Sequence, residues 1–218
     1  MVNREIIIAV PKGRIAQELE PVLKKVGLRP EADFYDEASR KLAFNTDSPG
    51  IKIIRVRSFD VATFVAFGGA QIGVAGSDVL AEFDYPDLYI PLDLGIGKCR
   101  MSVAAPKEYA NDKEFKKASH IRIATKYPNI TKKYFADKGV QAECIKLNGA
   151  MELAPKLGLC RRIVDLVSSG KTLKENGLVE IETIQDVSSR LIVHRGAYKT
   201  RGEEIGQWIK LFEEAVNG

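Results

Sequence analysis

Between Ile163 and Leu173 the chain reads Ile-Val-Asp-Leu-Val-Ser-Ser-Gly-Lys-Thr-Leu. Ile163, Val164, Leu166 and Val167 form a short apolar run rich in β-branched residues, the pattern of a buried strand. Asp165 sits inside that run, where a carboxylate is costly unless something bonds it. The run opens into Ser168-Ser169-Gly170-Lys171-Thr172, and Leu173-Lys174-Glu175-Asn176-Gly177 reads as one helical turn closed by glycine. Hydroxyls, free backbone N–H groups and an ammonium meeting where a helix opens suit a phosphate monoester. Asp165, just ahead of the turn, could accept hydrogen bonds from two neighbouring sugar hydroxyls. A phosphate plus a diol is a ribose 5-phosphate. Gly170-Lys171-Thr172 shares the ending of the nucleotide loop G-x-x-x-x-G-K-[ST], but that motif needs glycine at position 165. Asp165 stands there and excludes it. Read alone, a polar strand-to-helix turn accounts for these residues equally well.

Two further stretches offer cations to an anion. Glu5–Val10 is a continuous apolar run, a buried parallel-type strand. It ends in Pro11-Lys12-Gly13-Arg14, and Ile15, Leu19, Val22, Leu23 and Val26 then recur at helical spacing up to Gly27. A cationic, glycine-containing turn that opens a helix can hold an anion, although a plain connector with exposed Lys12 and Arg14 explains it by itself. Ser39-Arg40-Lys41 carries a second Arg-Lys pair into a short strand. The glycines of Ile72–Asp78 and of Gly95–Arg100 do not make a dinucleotide fingerprint, because alanine stands at 70 and arginine at 100.

The elements that must position these groups alternate. Ile51–Val56 is a strand, followed by a helix over Val61–Phe67 capped by Ser58 or Asp60 and stopped at Gly68-Gly69. Ile72–Asp78 is again a strand and then a turn, with Ser77 or Asp78 capping a helix over Val79–Phe83. Strands over Met101–Ala105, Ile121–Thr125 and Val140–Leu147 follow, with helices over Ile130–Asp137 and Ala150–Leu157. Val179–Ile184 and Arg190–Val193 are strands crossing back. Glu203–Val216 is an amphipathic helix whose stripe of Ile205, Trp208, Ile209, Phe212 and Val216 belongs to the core or a subunit interface. The alternation predicts α/β architecture with parallel sheets. A polar break after Pro106 and the late return predict two lobes, residues 1–105 plus 186–218 and residues 106–185, with a ligand cleft between them.

Composition narrows the class. The chain has 218 residues, 45% hydrophobic and 28% charged, with net charge +4, ordinary for a soluble globular protein. Its basic doublets, Lys24-Lys25, Lys116-Lys117, Lys132-Lys133 and Arg161-Arg162, are scattered, which argues against a nucleic-acid stripe. Cys99, Cys144 and Cys160 are far apart and odd in number, so neither a disulfide framework nor a zinc site is expected, and a reducing cytoplasm fits. No apolar run reaches membrane-spanning length, and Met1–Glu5 does not begin a signal peptide.

Taken in order, Ala9–Arg14, Ser39-Arg40-Lys41, Gly73–Leu80, Ala124–Asn129, Met151–Pro155, Asp165–Leu173 and Val187–Val193 resemble the short-form catalytic subunit of the ATP phosphoribosyltransferase family. The resemblance covers about residues 5 to 200. It implies a two-lobe fold like a type II periplasmic binding protein. It also implies attack by N1 of ATP on C1 of phosphoribosyl pyrophosphate, releasing pyrophosphate, as the first step of histidine biosynthesis. By the same resemblance Arg14 and Arg40 face the pyrophosphate with Lys12 in support, and Asp165 holds the ribose hydroxyls. Ser168, Ser169, Gly170, Lys171 and Thr172 hold the 5-phosphate, Glu152 reaches the ribose or the adenine amino group, and Asp78, Cys99 and Tyr127 lie near the nucleotide. Mg²⁺ is implied to arrive on the phosphates, without a dedicated metal cage.

Two positions depart from the family pattern: Arg161 stands where an acidic residue is usual, and His194 where asparagine is common. Long-form relatives carry a further histidine-sensing domain. Short forms pair with a regulatory subunit resembling histidyl-tRNA synthetase, so that partner and a homodimer mate are both expected. A solute-binding module of the same architecture, and phosphoribosyl transfer to another base, stay open on the residues alone.

Overall fold

The computed structural model describes residues 5–112 and 118–218. The Lys116-Lys117 doublet and the first four residues lie outside them. The chain divides into two units, each with its own sheet. One runs as far as Gly97 and resumes over Ser188–Gly218, and the other is Lys98–Val187.

The first unit opens with β1 (Ile6–Pro11), α1 (Arg14–Val26), β2 (Ala43–Asn45), β3 (Ile51–Val56) and α2 (Ser58–Ala66). It continues through β4 (Ile72–Gly76), α3 (Ser77–Phe83) and β5 (Leu88–Asp93). β1 lies between β3 and β4, parallel to both, and apart from partly covered Ile7 its side chains are buried. An apolar run without alternation is what a strand covered on both faces requires. α1 buries Ala16, Leu19, Val22, Leu23 and Val26, and Gly27 ends it in the left-handed conformation, its N–H on the carbonyls of Leu23 and Lys24.

The second unit runs β6 (Cys99–Pro106), β7 (His120–Thr125), α4 (Pro128–Ala136), β8 (Gln141–Lys146), α5 (Leu153–Lys156), β9 (Arg162–Val167), α6 (Lys171–Glu175) and β10 (Leu178–Val187). Its strand order is β10-β6-β9-β7-β8. β7 is parallel to β8 and β9, whereas β6 runs antiparallel to β9, and β10 antiparallel to β6. The chain then re-enters the first sheet with β11 (Ser189–His194), antiparallel to β4 and β5, and closes with α7 (Arg195–Thr200) and α8 (Gly202–Asn217). Ile205, Phe212 and Ala215 of α8 are buried in the core that α1 covers, and Trp208, Ile209 and Val216 pack partly against it. The amphipathic stripe is therefore core of the first unit.

Several expectations are corrected. The sheets are mixed, because β2, β5 and β11 in the first unit and β6 and β10 in the second run against their neighbours. Ser58, Asp60, Ser77 and Asp78 are not N-caps. Those positions fall to Arg57 and Gly76, with no side-chain capping bond. The helix expected over Ala150–Leu157 shrinks to α5, since Ala150 takes a positive φ of 54° and breaks the approach. β5 is absent from the sequence-based expectation, as Pro91 lowers its strand signal; at the end of the strand order a missing N–H costs no ladder bond. The units divide at Gly97/Lys98 and Val187/Ser188 rather than at 105/106 and 185/186, because all of β6 and β10 pair within the second sheet.

Candidate functional site

In the first unit three turns share one sheet edge, the one where parallel β1, β3 and β4 end. In such sheets the carboxyl ends of the strands are where ligands bind. β1 delivers Lys12 and Arg14, both exposed. Between them Gly13 takes φ 83°, a conformation that favours glycine. Arg14 Nε pairs with Glu18 Oε1 at 3.3 Å and Nη2 donates to the Gly97 carbonyl at 3.3 Å. Glu18 Oε2 in turn accepts the Gly97 N–H at 2.6 Å. Arg40 is exposed on the irregular segment before β2. That segment meets the Arg14 turn, since Gln17 Nε2 donates to Glu37 Oε1 at 3.2 Å. β4 delivers Asp78, which is buried at 4% exposure. A Cβ on Gly76 would fall 2.0 Å from Asp78 Oδ1, so this carboxylate requires glycine two residues earlier.

In the second unit the parallel strands β7, β8 and β9 likewise end on one edge. β9 delivers Ser168–Thr172. Gly170 is left-handed at φ 75°, and Ser168, Ser169, Lys171 and Thr172 are exposed. Ser169 Oγ accepts the Lys171 N–H at 3.4 Å, while Lys171 Nζ lies 3.8 Å from Glu175. Asp165 is half-buried, its Oδ1 accepting the Leu166 N–H at 2.8 Å, which meets part of the cost of a carboxylate inside a strand. β7 delivers Tyr127, whose N–H donates to Thr125 Oγ1 at 2.9 Å and whose side chain is buried. The connection after β8 delivers Glu152, partly exposed. Cys99 joins the same edge from the antiparallel strand, because register pairs Arg100 with Val167.

Arg100, Ser102 and Glu180 do not stand out as site residues in the sequence. Arg100 forks onto Glu180, with Nε donating to Oε1 at 2.6 Å, and its Nη1 donates to the Ser168 carbonyl at 3.3 Å. Ser102 Oγ, fully buried, donates to Glu180 Oε1 at 2.6 Å. The turn that opens at Ser168 thus rests on an ion pair inside the sheet. Arg100 first, then Ser102, hold the Glu180 carboxyl down at about 2, against the opposing effect of burial. A depressed carboxyl adds stability above its unfolded range, and loses it as pH falls through the folded value. Glu180→Gln is therefore expected to be less stable than the parent at neutral pH, with the gap closing between pH about 4.5 and about 2. Thermal melts of both proteins across that range check this; a constant gap would remove Glu180 from the pH response.

The structure thus gathers Lys12, Arg14, Arg40 and Asp78 on one edge of the first unit. Cys99, Tyr127, Glu152, Asp165 and Ser168–Thr172 gather on one edge of the second. Among the described residues no three His, Cys, Asp or Glu side chains gather as a metal cage. Mg²⁺ commonly keeps its waters and takes one or two carboxylates plus substrate phosphates, so this donor set fits an ion delivered on a substrate. Among the same residues no helix is long and apolar enough to cross a membrane.

A family model described as HisG: ATP phosphoribosyltransferase matches residues 57–214. The sequence is 62% identical to the ATP phosphoribosyltransferase of Paramagnetospirillum magneticum over 214 residues, covering 98% of each chain. Among solved structures, a chain of the ATP phosphoribosyl transferase (HisG:HisZ) complex from Thermotoga maritima is similar at a TM-score of 0.81 and 32% identity, covering 97% of this chain and 98% of that one. The alkanesulfonate-binding protein SsuA from Xanthomonas axonopodis pv. citri shares the fold alone, with TM-score 0.59 at 14% identity over 97% of this chain and 73% of that one. The α/β fold is thus of the type II periplasmic-binding-protein kind, and the chain belongs to the ATP phosphoribosyltransferase family, whose enzymes catalyse the first step of histidine biosynthesis.

Proposed function

We propose that this chain transfers the phosphoribosyl group of Mg²⁺–phosphoribosyl pyrophosphate to N1 of ATP, releasing pyrophosphate. The observation that carries the reading is the second-unit edge, where a half-buried carboxylate precedes a hydroxyl-rich, left-handed turn, in a chain 62% identical to a family member. Asp165 binds the ribose hydroxyls. The Ser168–Thr172 turn takes the 5-phosphate through hydroxyls, backbone N–H groups and Lys171. With both ends of the sugar fixed, C1 is oriented towards the incoming base.

As the C1–O bond breaks, its electron pair leaves with pyrophosphate, the ribose takes on oxocarbenium character, and adenine N1 forms the new bond to C1. Charge gathers on the departing oxygens, so preorganised cations lower the barrier more than a base would. Arg14 and Arg40 have that role, with Lys12 in support, and a metal ion bound with the phosphates would neutralise part of the same charge. Glu152 addresses the ribose or the adenine amino group, and Asp78, Cys99 and Tyr127 line the nucleotide side. No covalent enzyme intermediate is needed, which leaves Cys99 a wall rather than a nucleophile.

We further infer a cytoplasmic enzyme that forms a homodimer and assembles with a regulatory subunit resembling histidyl-tRNA synthetase. Similarity to a chain of a HisG:HisZ complex along 97% of this chain supports the assembly. The test mixes the chain, with and without such a partner, with ATP, MgCl₂ and phosphoribosyl pyrophosphate. The expected results are the ultraviolet absorbance of the N1 adduct and stoichiometric pyrophosphate, both rising with the partner. Tight solute binding with no adduct in either mixture would refute the enzyme reading.

A further inference from the structure

Arg55 lies on β3 beside Ile51 and Ile53, on the inward face of the strand, with only 4% of its surface exposed. Its guanidinium reaches a run of main-chain carbonyls in the segment that carries Arg40. Nη1 donates to the Phe34 carbonyl at 2.6 Å and the Asp36 carbonyl at 2.8 Å. Nη2 donates to the Ser39 carbonyl at 2.8 Å and the Lys41 carbonyl at 3.4 Å. The Arg55 main-chain N–H takes the next carbonyl, that of Leu42, at 2.8 Å. Phe44 packs against the guanidinium, 5.1 Å from its ring centroid.

Residues 35–42 have neither helix nor strand, and their own local bonds, such as Ala38 N–H to Asp36 Oδ1 at 2.9 Å, do not span the segment. The clamped carbonyls of Ser39 and Lys41 sit on either side of Arg40. The Arg40 side chain is exposed, with no hydrogen bond or ion pair among the described residues. A buried cation needs several acceptors to offset its lost hydration. Here one acceptor, the carbonyl of buried Phe34, closes a 3₁₀ turn and the other three belong to the loop that follows, so the guanidinium's planar fork ties the loop's path to the core. Arg55 also borders a small cavity with Gly13, Ala16, Tyr35 and Glu37, which places the clamp against the turn that carries Arg14.

We propose that Arg55 is a positioning residue that holds Arg40 in register with the Arg14 turn, a role that rests on the reading of Arg40 as a leaving-group cation. A lysine cannot replace the fork, because a point ammonium has three donors and no planar spread. Asp36 and Lys41 are exposed and Ser39 partly so, so a small shift of the loop lets their carbonyls hydrate, while the Phe34 carbonyl stays buried. The unit is expected to fold without the clamp at a lower melting temperature. An ångström of misplacement at a charge-stabilising group can cost roughly a hundredfold in rate.

The test is a double-mutant cycle on the whole chain, assayed with its regulatory partner, with melting temperature recorded for each protein. Arg55→Met and Arg55→Lys are expected to lower kcat by about ten- to a hundredfold. The KM for ATP should stay within about twofold, since loop placement acts on the leaving group. In an Arg40→Ala background, Arg55→Met should change kcat by less than about threefold, because nothing remains to be positioned. A full multiplicative loss in that background would show that Arg55 acts independently of Arg40 and overturn the proposal. Near-normal kcat in both single variants would do the same, and so would failure of both to fold. Normal kcat in Arg40→Ala alone would instead refute the leaving-group reading beneath it, a result visible without any Arg55 variant.

Discussion

Arg14→Ala and Arg40→Ala are each expected to lower kcat by about a hundredfold or more, with little change in the KM for ATP. Losing one preorganised donor at a developing negative charge typically costs about 10²–10³ in rate. The charge that forms on departing pyrophosphate is present only along the reaction path, so the loss should appear in kcat and in kcat/KM together. Stability should hardly move. Arg14 forms an i,i+4 pair with Glu18 in which both side chains are about half exposed, contributing about 0.3–0.5 kcal/mol, and a long bond to the Gly97 carbonyl, of the order of 1 kcal/mol at most. Steady-state kinetics beside thermal melts separate the two effects. Near-parental kcat in both variants would move the leaving-group site elsewhere.

Asp165→Asn and Thr172→Val are expected to weaken phosphoribosyl pyrophosphate binding by about 1–3 kcal/mol each, roughly 5- to 150-fold. The introduced asparagine would keep an oxygen for the Leu166 N–H that Asp165 Oδ1 now accepts, but would bring an amide NH₂ and lose the charge offered to the diol. The introduced valine would keep the branched shape of Thr172 and lose only the hydroxyl. The backbone carbonyl at that position would still receive the Asn176 amide, as in the parent at 3.0 Å. Titration calorimetry with phosphoribosyl pyrophosphate reads both changes. Unchanged affinity in the two variants would exclude this turn from the ribose-phosphate site.

Much of the frame can be read from local patterns, because strong apolar runs end at glycines. Ile51–Val56 is placed to the residue, and α1, α8 and β9 lie within a residue or two of their expected limits. What local pattern cannot carry is strand direction. β6 and β10 are ordinary apolar or alternating runs, and only pairing decides that they run against β9 and β6. The cationic turns and the Asp165–Thr172 stretch announce themselves by polar residues crowded at the end of an apolar run. The residues that brace them do not. Arg100 and Glu180 are separated by most of the second unit, and the β6–β10 register sets Arg100 opposite Asp186 and Glu180 opposite Ala104, so their ion pair reaches along the ladder past two irregularities in β10. Arg55 did leave a trace. In Ile51–Val56 it falls on the same side as Ile51 and Ile53, and a charge on the apolar face of an alternating strand implies a buried partner set.

The register at the end of β10 reaches beyond the site. Cys99, at the start of β6, is paired with Val187, at the end of β10, so the second unit leaves its sheet beside the place where it entered. Ser189, almost immediately after, begins the strand that pairs with Gly76 of β4. Those partners are far apart along the chain, and joining them unaided means closing a long loop, whose entropic cost rises by about 0.6 kcal/mol per doubling of length. A second unit that has already formed its β6–β10 pair turns that loop into a short bridge. The β6–β10 pair thus lowers the entropic cost of docking β11 on β4, the contact that completes the sheet carrying Arg14 and Arg40.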